Sequence, residues 1–119
     1  VDAVDADRSG GGTYDTVCTA STAAGGIFHG AVVCIVNSSP SFTTTDTLIN
    51  FFHDSGANTR YIGHAVIPRN DTASNTDPPF EVPFTPLGGP VELDQNDQIQ
   101  AAFMSGSMTA HVRALGGNF

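Results

Sequence analysis

The sequence contains no lysine and no tryptophan, only two cysteines and two glutamates, and no long apolar run. Each shortage excludes something. With Arg8, Arg60, Arg69 and Arg113 as the only fixed cations against a net charge of −8, there is no basic patch to neutralise phosphates, so no nucleic-acid partner is expected. A membrane helix needs about 20 consecutive apolar residues, and no stretch approaches that, so no membrane partner is expected either. The opening Val1-Asp2-Ala3-Val4-Asp5-Ala6-Asp7 is acidic, the reverse of the basic start of a signal peptide, and a soluble chain is expected. The lack of Lys and scarcity of Glu remove strong helix formers. Hydrophobic residues make up 39% and charged residues 13%, which leaves Ser, Thr, Asn, Gln and Gly as the bulk of the polar remainder. That is the chemistry of strands and turns.

A chain of 119 residues is long enough for one core. Residues 1–12 read as a flexible N-terminal arm: acids alternate with Val and Ala, and Ser9-Gly10-Gly11-Gly12 forms a joint. Residues 13–119 read as a β-sandwich domain. Strands are predicted near 13–20, 27–37, 46–53, 59–67, 80–87, 90–93, 97–104 and 107–115, separated by turn signals such as Asp54-Ser55-Gly56-Ala57-Asn58 and Gln95-Asn96-Asp97. The fold class is therefore all-β: a two-sheet antiparallel sandwich, jelly-roll-like, with about eight strands. Alternation assigns faces. In the second predicted strand Ile27, Ala31, Val33 and Ile35 oppose Phe28, Val32, Cys34 and Val36, so both faces are apolar and the strand is expected to be central or covered on both sides. Ile99, Ala101 and Phe103 oppose Gln98, Gln100 and Ala102. Met108, Ala110, Val112 and Ala114 oppose Thr109, His111 and Arg113, which gives the last strand one wet face. The polar run 69–79 reads as a long exposed loop lying mainly outside any contact.

Motifs for chemistry are missing. The chain has no Gly-x-Ser-x-Gly elbow and no phosphate loop with Lys, so no catalytic residue, no cofactor and no enzyme activity are expected. His29, His53, His64 and His111 fall in different predicted strands without ligand-pair spacing, and Asp2, Asp5 and Asp7 lack the glycine and distal Glu of a calcium loop, so no metal is expected. Asp94 and Asp97 read as turn caps. A hairpin joining the first two predicted strands would set Cys18 opposite about residue 28. Cys34 would then lie roughly 20 Å along the ladder, beyond disulfide reach, and both thiols are read as buried and free, unless the two strands lie in different sheets and face across the core. The sequons Asn37-Ser38-Ser39 and Asn70-Asp71-Thr72 would matter only in a secreted eukaryotic protein.

From Tyr14 onward the order of features resembles the capsid decoration, or cement, proteins of tailed bacteriophages and related β-sandwich virion accessory proteins. The resemblance is carried by Thr13-Tyr14-Asp15-Thr16-Val17, by Ile35-Val36-Asn37, by Arg60-Tyr61-Ile62-Gly63, by Val91-Glu92-Leu93-Asp94-Gln95-Asn96-Asp97-Gln98-Ile99-Gln100-Ala101, and by Thr109-Ala110-His111-Val112-Arg113. It implies a structural virion protein that binds and stabilises the major capsid protein shell, sits on the capsid exterior after assembly in the host cytoplasm, and often forms a homotrimer. A homo-oligomer is also expected on physical grounds, because doubly apolar strands and edges without Lys call for cover. The interface is expected to include Val1, Ala3, Val4, Ala6 and Arg8 of the arm, added to a neighbour's sheet edge, so that deleting residues 1–9 would leave the domain folded but weaken attachment. The alternative is a carbohydrate- or receptor-binding sandwich module, as in phage tail fibres or lectin-like domains. The absence of Trp, with only Tyr14 and Tyr61, weighs against a sugar platform.

Overall fold

A computed structural model of the chain describes residues 1–35, 46–68, 80–104 and 109–117. The polar run 69–79, Val36, Met108 and both sequons lie outside these residues. The strands are β1 (Asp15–Thr19), β2 (Gly26–Ile35), β3 (Thr47–Asp54), β4 (Thr59–Ile67), β5 (Phe80–Phe84), β6 (Val91–Leu93), β7 (Gln98–Phe103) and β8 (His111–Gly117). They form two antiparallel sheets. The first, sheet A, runs β1-β7-β3-β4. In the second, sheet B, β2 is central: β8 pairs with one edge, while β5 and β6 share the other, β5 beside residues 31–35 and β6 beside residues 26–28. Only the β3–β4 and β5–β6 connections stay within a sheet; every other connection crosses the sandwich.

The core lies between the inner faces. Ile49, Phe51, Ile99, Ala101 and Phe103 of sheet A meet Phe28, Ala31, Val33, Ile35 and Phe84 of sheet B, and the Phe51 and Phe84 rings stack with centroids 4.0 Å apart. The alternation of β7 and β8 follows the sequence pattern: Ile99, Ala101 and Phe103 are fully buried, Val112 and Ala114 pack against the core, and His111 and Arg113 are exposed.

Two expectations need correction. First, β1 and β2 are not a hairpin. They belong to different sheets, so the offset argument for the cysteines does not apply. Cys18 packs against the core, whereas Cys34 lies between the inward-facing Val33 and Ile35 and points out of sheet B; both thiols are free and half-buried rather than buried. Second, strict alternation fails in β2. The register against β8 shifts between Phe28 and Gly30, which turns Phe28 inward with Ala31, Val33 and Ile35 and leaves Ile27 exposed. Gly30 permits this bulge: its φ is +152°, and a Cβ there would sit 2.2 Å from the Phe84 carbonyl oxygen. β2 is central, and on its outer face Ile27 is exposed while Val32 and Cys34 are half-buried.

Candidate interaction surface

The outer faces of the two sheets are treated differently by the chain. Residues 1–14 run along sheet A. Phe103 donates its amide to the Ala3 carbonyl and accepts from the Asp5 amide, so Val4 pairs in parallel with β7 beyond the end of β1, while Val1 and Ala110 exchange backbone hydrogen bonds. The Asp15 carboxylate accepts from the amides of Ala3 and Asp2, each at 2.8 Å, and these bonds hold its pKa below the usual carboxylate value. Farther along, the segment is closed by Asp5 accepting from the Thr13 amide and by the Tyr14 hydroxyl, which donates to the Asp7 carbonyl and accepts from the Gly12 amide. The Tyr14 ring stacks on Phe52 at 3.8 Å, and Phe52 is 0% exposed although it sits on the outer side of β3. Arg8 donates Nε–H to Asn50 Oδ1 and lies 5.0 Å above the Tyr61 ring.

The residues expected at an interface are therefore laid on their own sheet. Val1 packs against the core, Ala3 is half-buried at the β7 edge, Arg8 engages Asn50 and Tyr61, and Val4 and Ala6 keep exposed side chains.

Sheet B carries apolar side chains on the outer side of its central strand. The inward set of β2 and its neighbours is Ala31, Val33, Ile35, Val82, Val112 and Ala114, so the residues between them point outward. Three cross-strand rungs define the surface: His111–Cys34–Glu81, Arg113–Val32–Pro83 and Gly117–Ile27–Glu92. Leu115 lies opposite Gly30, beside the exposed His29 at the bulge. Ile27 and Leu115 are 42% and 41% exposed, and Val32 and Cys34 are half-buried. An apolar strip along β2 thus has basic groups on its β8 side and acidic groups on its β5 and β6 side. Glu81 and Glu92, the only glutamates in the chain, both belong to this face.

The histidines do not converge, and among the described residues no group of His, Cys, Asp and Glu is placed to hold a metal. His53 instead makes a buried pair with Asp97 in the turn before β7, Nε2 to Oδ2 at 2.8 Å, while Arg60 approaches His53 Nδ1 at 3.4 Å. An arginine donating to Nδ1 places the ring proton on Nε2, aimed at the carboxylate. Asp97 also accepts from the Asp94 amide, so it is the turn cap expected from sequence with a second partner added. Burial pushes the Asp97 carboxyl up, but the hydrogen bonds from His53 and Asp94 outweigh burial and leave it lowered. With His53 and Asp97 44 positions apart, no local pattern could reveal the pair. Among the described residues no buried side-chain polar atom lacks a partner.

A cleft of about 470 Å³ lies where the start of β4 meets the β5–β6 loop, lined by Arg60, Tyr61, Leu87, Pro90 and Glu92 among others. Its one aromatic residue, Tyr61, already contacts Arg8, the edge of Phe52 and His64 Nδ1, the last at 2.6 Å from its hydroxyl. Comparison of the chain with family models, with characterised proteins and with solved structures finds no match.

Proposed function

We propose that this chain is a structural protein that works by packing the outer face of sheet B against another protein subunit, in the role of a decoration protein that stabilises a viral capsid shell. The observation that carries this reading is the contrast between the sheets. The arm covers the middle of one outer face, while the other presents contiguous apolar side chains from β2 and β8 between two charged margins. Exposed apolar residues scattered singly have no meaning, but a connected patch with a polar rim is the anatomy of a protein interface. The exposed Val4 and Ala6 provide a second contact at the sheet A edge.

The decoration role draws on the sequence resemblance and on the acidic, lysine-free composition, which disfavours nucleic acid as the partner. The test uses particles assembled from the genome that encodes this chain, with its reading frame deleted. Such particles should lose resistance to heating and regain it when the purified protein is added back. Particles equally resistant with and without the protein would overturn the reading.

The carbohydrate-binding alternative would use the cleft beside Tyr61. The Tyr61 ring is already engaged by Arg8, Phe52 and His64, so it offers no free stacking platform, and that reading is the weaker one.

A further inference from the structure

We infer that the outer face of sheet B is self-complementary and pairs with the same face of a second copy, about a two-fold axis running nearly along β2. The inference rests on the reading of this face as a docking surface and names its partner.

The register of sheet B selects the arrangement. Two sheets packed face to face can be related by a two-fold axis in the plane between them, and that axis lies either along the strands or across them. An axis across the strands sets β8 against β8, so the basic margin of one copy meets the basic margin of the other and Glu81 faces the partner's acidic margin. An axis along β2 exchanges the two edges. β8 of one copy then lies over β5 and β6 of the other, and levels along the strand are kept. His111 and Glu81 pair with the same residue, Cys34, and so stand at one level. Across the axis, each His111 therefore meets the other copy's Glu81. Arg113 stands one rung away, about 7 Å along the strand, within reach of the same carboxylate. At the other end Glu92 comes over Gly117, which has no side chain to obstruct it.

The apolar residues fall where such a dimer needs them. Ile27 and Val32 lie on the axis and meet their own copies, and the exposed Leu115 closes the flank. Aligned sheets cross at about 30°, so the axis tilts about 15° from β2. Charge matching orients the pair, because like charges opposed at an interface cost affinity while matched ones fix the arrangement. It also offsets the mutual repulsion of two chains of net charge −8 by placing the cations of each against the acids of the other.

The geometry puts Cys34 on the axis, facing its own copy. Packed sheets lie about 10 Å apart, whereas a disulfide needs Cα atoms within about 7 Å. A short bismaleimide should therefore join two chains through Cys34, and air oxidation should not. Cys18 packs against the core, and burial pushes its thiol pKa up, so it contributes little to the reaction.

The experiment measures the molar mass of the isolated protein by sedimentation equilibrium over a wide concentration range, with bismaleimide crosslinking of the Cys18→Ser variant beside it. The expected results are a monomer–dimer equilibrium and a crosslinked dimer that disappears in Cys34→Ser. Arg113→Glu should weaken dimerisation about tenfold or more, and adding Glu81→Arg to it should restore the dimer. These positions are exposed, and unchanged melting curves would show that the variants fold. A monomer at every concentration, a trimer, no Cys34 crosslink, or no rescue by the double variant would overturn the inference. The docking reading fails separately: a monomer that still restores heat resistance to deleted particles sinks the dimer alone, and a dimer that leaves those particles unprotected sinks the decoration role alone.

Discussion

At the scale of single residues, buried polar pairs act as fixed points in a sandwich otherwise held by apolar packing. His53 and Asp97 are 7% and 5% exposed and join β3 to the turn before β7. Replacing His53 with Ala leaves a buried carboxylate short of a donor, so stability should fall by about 1–3 kcal/mol, measurable by urea denaturation. The pH dependence has a definite sign. Asp97 has a lowered pKa in the folded chain, so its contribution is complete above the ordinary carboxylate range and is lost as pH falls through the folded value. Asp97→Asn should therefore flatten the acid limb of a stability profile below about pH 4; an unchanged limb would show that the pair does not carry it. The sequence displayed Asp97 only as a turn residue, because turn chemistry is local while its contact with His53 exists only once β3 and β7 have paired.

At the scale of elements, the N-terminal segment and the β2 bulge are where local reading and tertiary structure part. Alternating acids over residues 1–7 and the glycines at 10–12 carry the local signature of a flexible arm. Yet Asp5, Asp7, Asp15 and Tyr14 hydrogen-bond the segment's own backbone, and the segment covers Phe52 and Asn50. Deleting residues 1–12 removes both hydrogen-bond partners of the Tyr14 hydroxyl, which loosens the ring that covers Phe52, and removes a hydrogen-bond partner of Asn50. It should therefore destabilise the domain by roughly 2–4 kcal/mol, where the sequence alone suggested little effect. A milder variant, Asp15→Ala, should speed proteolysis within residues 1–12 while the remaining strands stay resistant; equal resistance to the parent chain would show that the carboxylate does not hold the segment. In β2 a period of two was legible over residues 31–35, and the inserted bulge residue was not, because only the close approach of Phe84 shows why Gly30 is needed. Gly30→Ala should cost about 2 kcal/mol or more, read from a chemical melt, since the side chain meets both an unfavourable φ and the Phe84 carbonyl.

At the scale of the whole molecule, the sandwich was legible because strand and turn signals alternate along the chain and the inward sets of β7 and β8 are cleanly periodic. The order of strands was not, since most connections cross between sheets and turn chemistry does not say which sheet comes next. The interaction surface was hidden for the same reason: His111, Cys34 and Glu81 form one rung only after β8 and β5 have docked on opposite edges of β2. On this reading the outer face of sheet B is covered when the protein is at work, and Cys34, on its central strand at one end of the face, is a built-in reporter. The most direct measurement is the rate of maleimide labelling of Cys34 in the Cys18→Ser variant, compared between dilute isolated protein and the assembled state on its particle. Ready labelling in dilute solution and strong protection in the assembly are expected; equal labelling in both states would show that this face is not the one covered.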